Sequence, residues 1–276
     1  MSESVPRAAV ITVARGRQEH LARQQAMLSA LGWDVARVVV SMDDPSLAAV
    51  TRQHPGVQTI TVPVADPGRL PLAAARNAGA EAALEAGAEL LVFLDVDCLP
   101  GDRLLARYTQ AARDNALLCG PVTYLPQGAV LGDCPSGAVL DALRAPHAAR
   151  PDPIDGDVVA GDDVDLFWSL SFAVTSATWR TVGGFHTGYA GYGGEDTDFA
   201  WQARQAGCDL LWVGGADAYH QYHPVSQPPV EHLDAILENA AVFHRRWGVW
   251  PMRGWLDAFA DLGLIRATDG AWERTA

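Results

Sequence analysis

Leu90-Leu91-Val92-Phe93-Leu94-Asp95-Val96-Asp97 is an apolar run of five residues that ends in two carboxylates. A short, unbroken apolar run is the pattern of a strand buried on both faces. The run follows three similar ones: Ala8–Val13, Val35–Ser41 and Val57–Pro63. Helical patterns separate them, at Glu19–Leu31, Leu47–Gln53 and the Ala-rich Leu72–Gly87. Strand and helix in alternation predict an α/β domain with a mostly parallel central sheet flanked by helices. In such sheets, ligands bind beyond the carboxyl ends of the strands. Asp43, Asp95 and Asp97 all fall at such ends, as do the polar residues after Val13.

The second half is read outward from the same run. Leu104–Asn115 is a helical pattern and Leu117–Tyr124 a strand. Gln127–Asp165 is rich in Gly, Pro and Asp and longer than an ordinary connection, which predicts a functional or partly mobile loop. Leu166–Thr175 reads as a strand and Ser176–Val182 as a short helix. Then comes Gly191-Tyr192-Gly193-Gly194-Glu195-Asp196-Thr197-Asp198, with three carboxylates in four residues. Glycine lets backbone approach a ligand closely, and dense carboxylates cost repulsion and desolvation unless they have a task. A helix over Thr197–Ala206, a strand over Asp209–Val213, and Tyr219-His220-Gln221-Tyr222-His223-Pro224 follow. The tail from Pro229 reads as a helix over Val230–Trp247 and an aromatic segment. The change of pattern at Pro229 is the expected boundary between a domain over 1–228 and a helical extension over 229–276, packed on or over it.

Composition narrows the function. The 276 residues suit one large domain, and 49% hydrophobic residues suffice for a sizeable core. A net charge of −13 argues against nucleic acid as a partner. The four cysteines, with no CxxC, make neither a zinc site nor a disulfide framework. No segment has the ~20 apolar residues of a membrane span. Met1–Arg7 lacks a leader pattern, so the expected location is cytoplasmic, with peripheral membrane attachment open.

Each candidate site has a plainer alternative. Asp95 and Asp97 at a strand end can share one hydrated cation, or divide a cation and a ribose hydroxyl between them. A turn in which Asp caps backbone amides would explain the same pair. His220 and His223 follow a strand, where one of them can complete an oxygen-rich site; Mn2+ tolerates imidazole beside carboxylate. In extended backbone, residues three apart face opposite ways, so only one of the pair would serve. Otherwise these histidines are hydrogen-bonded neighbours of Tyr219 or Tyr222. Glu195 and Asp196 at a helix N-terminus suit a general base that stays ionised. N-capping would account for one of these carboxylates but not for three. Arg76 near a helix start sits against the dipole and calls for an anionic partner, a diphosphate or Asp95. A surface Arg is the plainer reading.

Taken in order, Val-Ile-Thr, Met-Asp-Asp-Pro-Ser, Ala-Ala-Arg-Asn-Ala-Gly, Phe-Leu-Asp-Val-Asp, Gly-Tyr-Gly-Gly-Glu-Asp-Thr-Asp-Phe and Ala-Tyr-His-Gln resemble the GT-A-fold glycosyltransferases of the family 2 type. The second half is similar to the catalytic domains of chondroitin polymerases and β-1,4-galactosyltransferases. The resemblance spans residues 8–224. It implies a metal-dependent, inverting transfer of a sugar from a nucleotide-diphosphate donor, UDP-linked, to a glycan, lipid-linked or small-molecule acceptor. It implies that Asp43 and Thr12 line the base pocket and that Arg76 contacts the diphosphate. Asp95 would bind ribose or donor sugar, with Val96 and Gly194 lining the donor site. Asp97 and His220 would hold Mn2+ or Mg2+, with His223 as the second choice. Asp196 would be the catalytic base, Glu195 would bind hydroxyls, and Tyr192 would stand where the galactosyltransferases carry an aromatic acceptor platform. Two details depart from the pattern: Thr-Val-Ala-Arg-Gly-Arg replaces Pro-Thr-Tyr-Asn, and Asp-Asp-Pro-Ser replaces Asp-Asp-Gly-Ser.

Two rival readings remain. Phe-Leu-Asp-Val-Asp also opens the haloacid-dehalogenase phosphatases, with Asp95 as nucleophile, though there it lies on the first strand. A non-catalytic nucleotide-sugar-binding module would keep the same fold and carboxylates.

Overall fold

The computed structural model describes residues 6–268 and 270–275. Residues 1–5, most of the stretch read for a leader, lie outside the described residues. The first half runs β1 (Ala8–Ala14), α1 (Gln18–Ala30), β2 (Ala36–Met42), α2 (Leu47–Thr51), β3 (Val57–Val62), α3 (Leu72–Glu85) and β4 (Leu90–Leu94). It continues through β5 (Cys98–Pro100), α4 (Leu104–Ala111), β6 (Ala116–Cys119), β7 (Val122–Tyr124), α5 (Gly137–Asp141) and β8 (Val158–Gly161). The remainder is β9 (Ser171–Thr175), α6 (Ser176–Val182), α7 (Glu195–Gln205), β10 (Asp209–Val213), β11 (Ala218–His220), α8 (Leu233–Trp247), α9 (Arg253–Asp261), β12 (Ile265–Thr268) and β13 (Ala271–Arg274).

The strands form an eight-stranded sheet in the order β3-β2-β1-β4-β9-β6-β10-β8. The pairings β1/β2, β2/β3, β1/β4 and β6/β10 are parallel, whereas β9 runs antiparallel between β4 and β6. Side chains alternate across it as the pleat requires. Ala9, Ile11, Val13, Leu91 and Phe93 enter one core, with α3 and α7 behind it. Ala8, Val10, Leu90, Val92 and Leu94 enter the other, with α4 behind it. That is why these runs are continuously apolar.

Three expectations change. Leu117–Tyr124 is not one strand: it breaks at Gly120-Pro121 into β6, in the large sheet, and β7, in a three-stranded sheet of order β5-β11-β7. A Cβ on Gly120 would lie 1.8 Å from the Ala216 carbonyl oxygen, so only glycine allows that crossing. The long Gln127–Asp165 segment holds α5 and the edge strand β8, antiparallel to β10. The tail is not only helical. Beyond α9 it forms the β12/β13 hairpin, and α8, α9 and β12 share a small core of Leu233, Ile236, Ala240, Leu256, Phe259 and Ile265.

Candidate active site

The apolar run that set the fold stops at Leu94, and the chain turns at once. Cys98 N–H donates to the Asp95 carbonyl at 2.8 Å, which closes a turn over 95–98 and points both aspartates out of the sheet end. The turn is anchored on two sides. Asp95 N–H donates to the Leu170 carbonyl at 2.9 Å. Gln24, fully buried on α1, donates to the carbonyls of Asp95 (2.7 Å) and Cys98 (2.9 Å). No pattern in the sequence marked Gln24, because a buried glutamine among apolar residues becomes meaningful only when its partners are known.

The small sheet brings the histidines in. β11 pairs with β5 so that His220 lies opposite Cys98, and Gln221 N–H donates to the Asp97 carbonyl at 2.7 Å. His220 Nε2 is 3.4 Å from Asp97 Oδ1, and His223 Nε2 is 3.4 Å from Asp97 Oδ2. The argument that only one histidine could serve fails for a physical reason. β11 ends at His220, so His223 is no longer held to the two-residue alternation and folds back. One ligand atom from each of Asp97, His220 and His223 lies within 4.8 Å of the others. Burial alone would raise the Asp97 carboxyl, but hydrogen bonds from both histidines and their charge hold it well below the usual carboxylate range. A carboxylate with two imidazoles fits a divalent cation such as Mn2+ better than Mg2+, which prefers oxygen alone.

Arg76 joins this corner to the glycine-rich stretch. Its side chain is buried, with NH2 3.3 Å from Asp95 Oδ1 and NH1 2.9 Å from Glu195 Oε1. Desolvation opposes the buried guanidinium's charge, yet Asp95 and Glu195 together raise its pKa above the ordinary arginine value. Arg76 therefore has the anionic partners that its place in the first turns of α3 called for. Asp95 is pushed up to about 6, by burial first and against the pull of Arg76. Glu195 is 5% exposed, and its Oε2 has no hydrogen-bond partner among the described residues. An orphaned carboxylate oxygen at a site is a place for a ligand hydroxyl.

Asp196 lies beside Glu195 in the first turn of α7, with Gly194 in the left-handed region at the N-cap. The Thr197 N–H donates to Asp196 Oδ1 at 2.8 Å. Burial and the neighbouring Glu195 push its carboxyl up to about 7, with Arg76 pulling the other way. A carboxylate tuned to that value can accept a proton near neutral pH.

Other expected residues take different places. Thr12 is 1% exposed, in the middle of β1, and its hydroxyl donates to Gln24 Oε1 at 2.9 Å, so its side chain is turned into the core. At that strand end, Gly16 N–H and Arg15 are the groups at hand. Gly16 N–H donates to Asp44 Oδ2 at 2.7 Å, and Arg15 donates to the Met42 carbonyl at 2.9 Å. Asp43, at φ 50° just after β2, is exposed and unengaged by those contacts. Val96 packs in a small core with Ala14, Leu21, Val39 and Leu47. Tyr192 stacks on His232 (centroids 4.4 Å apart) and on Trp255 (5.6 Å). A second exposed ring stands at the metal corner: Tyr124, whose ring centroid is 4.7 Å from that of His220.

Comparison with known proteins bears on the fold. Residues 163–224 match the family model described as the N-terminal domain of galactosyltransferase. No curated protein matches the chain. GalNAc-T7 solved with UDP, GalNAc and Mn2+ is similar over 94% of this chain and 57% of its own, with 14% identity and a TM-score of 0.51. Residues 1–349 of TarS from S. aureus are similar over 85% of this chain and 64% of their own, with 12% identity and a TM-score of 0.55. The same region of TarS in complex with UDP gives 11% identity and a TM-score of 0.55. The chain thus spans about three fifths of the length of these solved structures. It has the GT-A fold of these solved glycosyltransferases, and the stretch similar to the galactosyltransferase family model is residues 163–224.

Proposed function

We propose that this chain is a metal-dependent, inverting glycosyltransferase that moves a sugar from a UDP-linked donor to an acceptor hydroxyl. One observation carries the reading. A candidate cation site (Asp97, His220, His223) and a carboxylate tuned as a base (Asp196) meet at one sheet end, joined by the Asp95–Arg76–Glu195 ion pairs. GalNAc-T7 with UDP and Mn2+, and TarS with UDP, support a nucleotide-diphosphate ligand for a cleft of this fold. Residues 1–228 would supply the donor and metal groups.

In this mechanism Asp97, His220 and His223 hold the cation. A cation held by them would supply positive charge against the departing diphosphate, a term often worth several kcal/mol. Asp43 and the backbone after β1 face the base, and Asp95 faces the ribose or donor sugar. Arg76 fixes Asp95 and Glu195 in place and adds positive charge on the leaving-group side. Glu195 Oε2 accepts a hydrogen bond from a sugar hydroxyl. Asp196 takes the proton from the acceptor hydroxyl as its oxygen attacks the anomeric carbon. The carbon–oxygen bond to the diphosphate breaks on the opposite face, so the configuration inverts. The GT-A fold leaves the phosphatase reading without its framework, and Asp95 is engaged by Arg76 rather than free to attack.

The test is turnover of UDP-galactose, UDP-GalNAc, UDP-glucose and UDP-GlcNAc with Mn2+, in wild type and Asp196→Asn. The reading expects one donor to be consumed, and a loss of about 10²–10⁴-fold in kcat for the variant with nucleotide binding retained. Undiminished turnover by Asp196→Asn would remove the base assignment. Metal-dependent nucleotide binding with no turnover of any donor would favour a binding module instead.

A further inference from the structure

The segment after 228 reaches into the glycine-rich stretch. Asn239 on α8 is 1% exposed and lies in the apolar stripe of Leu233, Ile236, Ala240 and Phe243. Burying an amide in such a stripe is costly without partners. Its partners are all backbone of one loop. Nδ2 donates to the carbonyls of Gly193 (2.8 Å), Tyr192 (3.2 Å) and Ala190 (3.2 Å), and Oδ1 accepts from Ala190 N–H (3.3 Å). That loop leads directly into Glu195 and Asp196.

The glycines of the loop make room for the same segment. Gly191, Gly193 and Gly194 have φ of 80°, 89° and 88°. A Cβ on Gly191 would lie 2.8 Å from the Ala235 Cβ, and one on Gly193 2.9 Å from the Met252 sulfur. A Cβ on Gly194 would come 3.6 Å from Asn239. At Gly191 and Gly193 the missing Cβ makes clearance for α8 and the start of α9. A second tie lies one turn along α7. Asp198, fully buried, accepts from Arg246 Nε (2.7 Å), Trp247 Nε1 (2.7 Å) and the Tyr189 hydroxyl (3.0 Å). The two ties bracket Asp196.

We propose that Asn239 is a positioning residue for the 190–194 loop, and that α8 and α9 complete the active centre rather than append to it. The inference rests on the function proposed above. The loop lies outside any strand ladder, so its backbone groups are held by other partners, and Asn239 takes three of its carbonyls and one N–H. Asn239 supplies that hold and sets where Glu195 and Asp196 stand.

The test uses the full chain with Asn239→Asp, which keeps the volume and the acceptor oxygen but loses the donors, and Asn239→Leu, which loses both. Three readouts are compared with wild type: UDP affinity with Mn2+, kcat for donor turnover, and amide exchange. The proposal expects UDP affinity within about twofold, because the donor groups lie elsewhere, and kcat lower by about tenfold or more in both variants. It expects exchange at 190–194 to rise by about tenfold while β1 and β4 keep their protection. Wild-type kcat in either variant, or unchanged loop exchange, would overturn it. So would a uniform rise in exchange with loss of UDP binding, since that marks a general structural role. If the wild type binds no nucleotide, the proposed function falls, and the exchange comparison still decides where Asn239 acts.

Discussion

Asp196 combines two properties that pull against each other. Its carboxyl is pushed up to about 7 by burial and by Glu195, so the folded protein holds that proton more tightly than an unfolded chain does. A raised carboxyl pKa means that stability from this group is fully present below about pH 4 and falls as pH rises toward about 7. The ionised form is the one that can act as a base. We therefore expect kcat/KM to rise with pH through an acid limb near the value of about 7. We also expect Asp196→Asn to melt higher than wild type at pH 8 and no higher at pH 4. Thermal melts at the two pH values check this; an equal gain at both would detach the effect from ionisation. Asp97 has the opposite sign, since its histidine partners hold its pKa low and their contribution is lost on acidification. Much at this scale was legible in the sequence: Asp95, Asp97, Glu195, Asp196, Arg76 and His220 were all marked, and they converge. Asp43 is exposed at its strand end, whereas Thr12 is sealed against Gln24. Within β1 side chains alternate, so Thr12 points to the face opposite Ile11 and Val13, and only the long-range contact with Gln24 shows that this face is sealed. For His223 the strand end does matter: β11 stops at His220, which releases His223 from strand alternation.

At the scale of elements, local pattern and long-range pairing part company. The β1–α1–β2 and β3–α3–β4 units were readable because each is written in contiguous periodicity. The break between β6 and β7 was not. It depends on Gly120 passing under the Ala216 carbonyl, a contact between residues 96 apart in number. Gly120→Ala should destabilise the fold by at least about 1–3 kcal/mol, the ordinary cost of overpacking, because the opposing atom is backbone and cannot swing away. Denaturant unfolding of the variant measures that loss; a change below 0.5 kcal/mol would mean that the crossing relaxes. β11 begins just past this crossing at Ala218 and carries His220, so the variant should also weaken cation binding. The antiparallel insertion of β9 between β4 and β6 was equally hidden. A strand's apolar run does not record its direction.

The whole molecule gathers its charge unevenly. A net charge of −13 would repel a diphosphate, and the candidate donor cleft adds carboxylates of its own. Arg76 supplies one positive charge there, already shared between Asp95 and Glu195. The proposed function therefore expects binding of a nucleotide diphosphate to be strongly linked to a divalent cation. The most direct measurement is calorimetric titration of UDP into the full chain with Mn2+ and again with a chelator, repeated for Asp97→Ala. The account expects binding with Mn2+, none with the chelator, and none in the variant under either condition. At 100 Kd of UDP with Mn2+ the wild type should also gain about 2.7 kcal/mol of stability. UDP binding of equal strength with and without metal, or retained by Asp97→Ala, would contradict the assignment of Asp97, His220 and His223 as the cation site on which the proposed reaction depends.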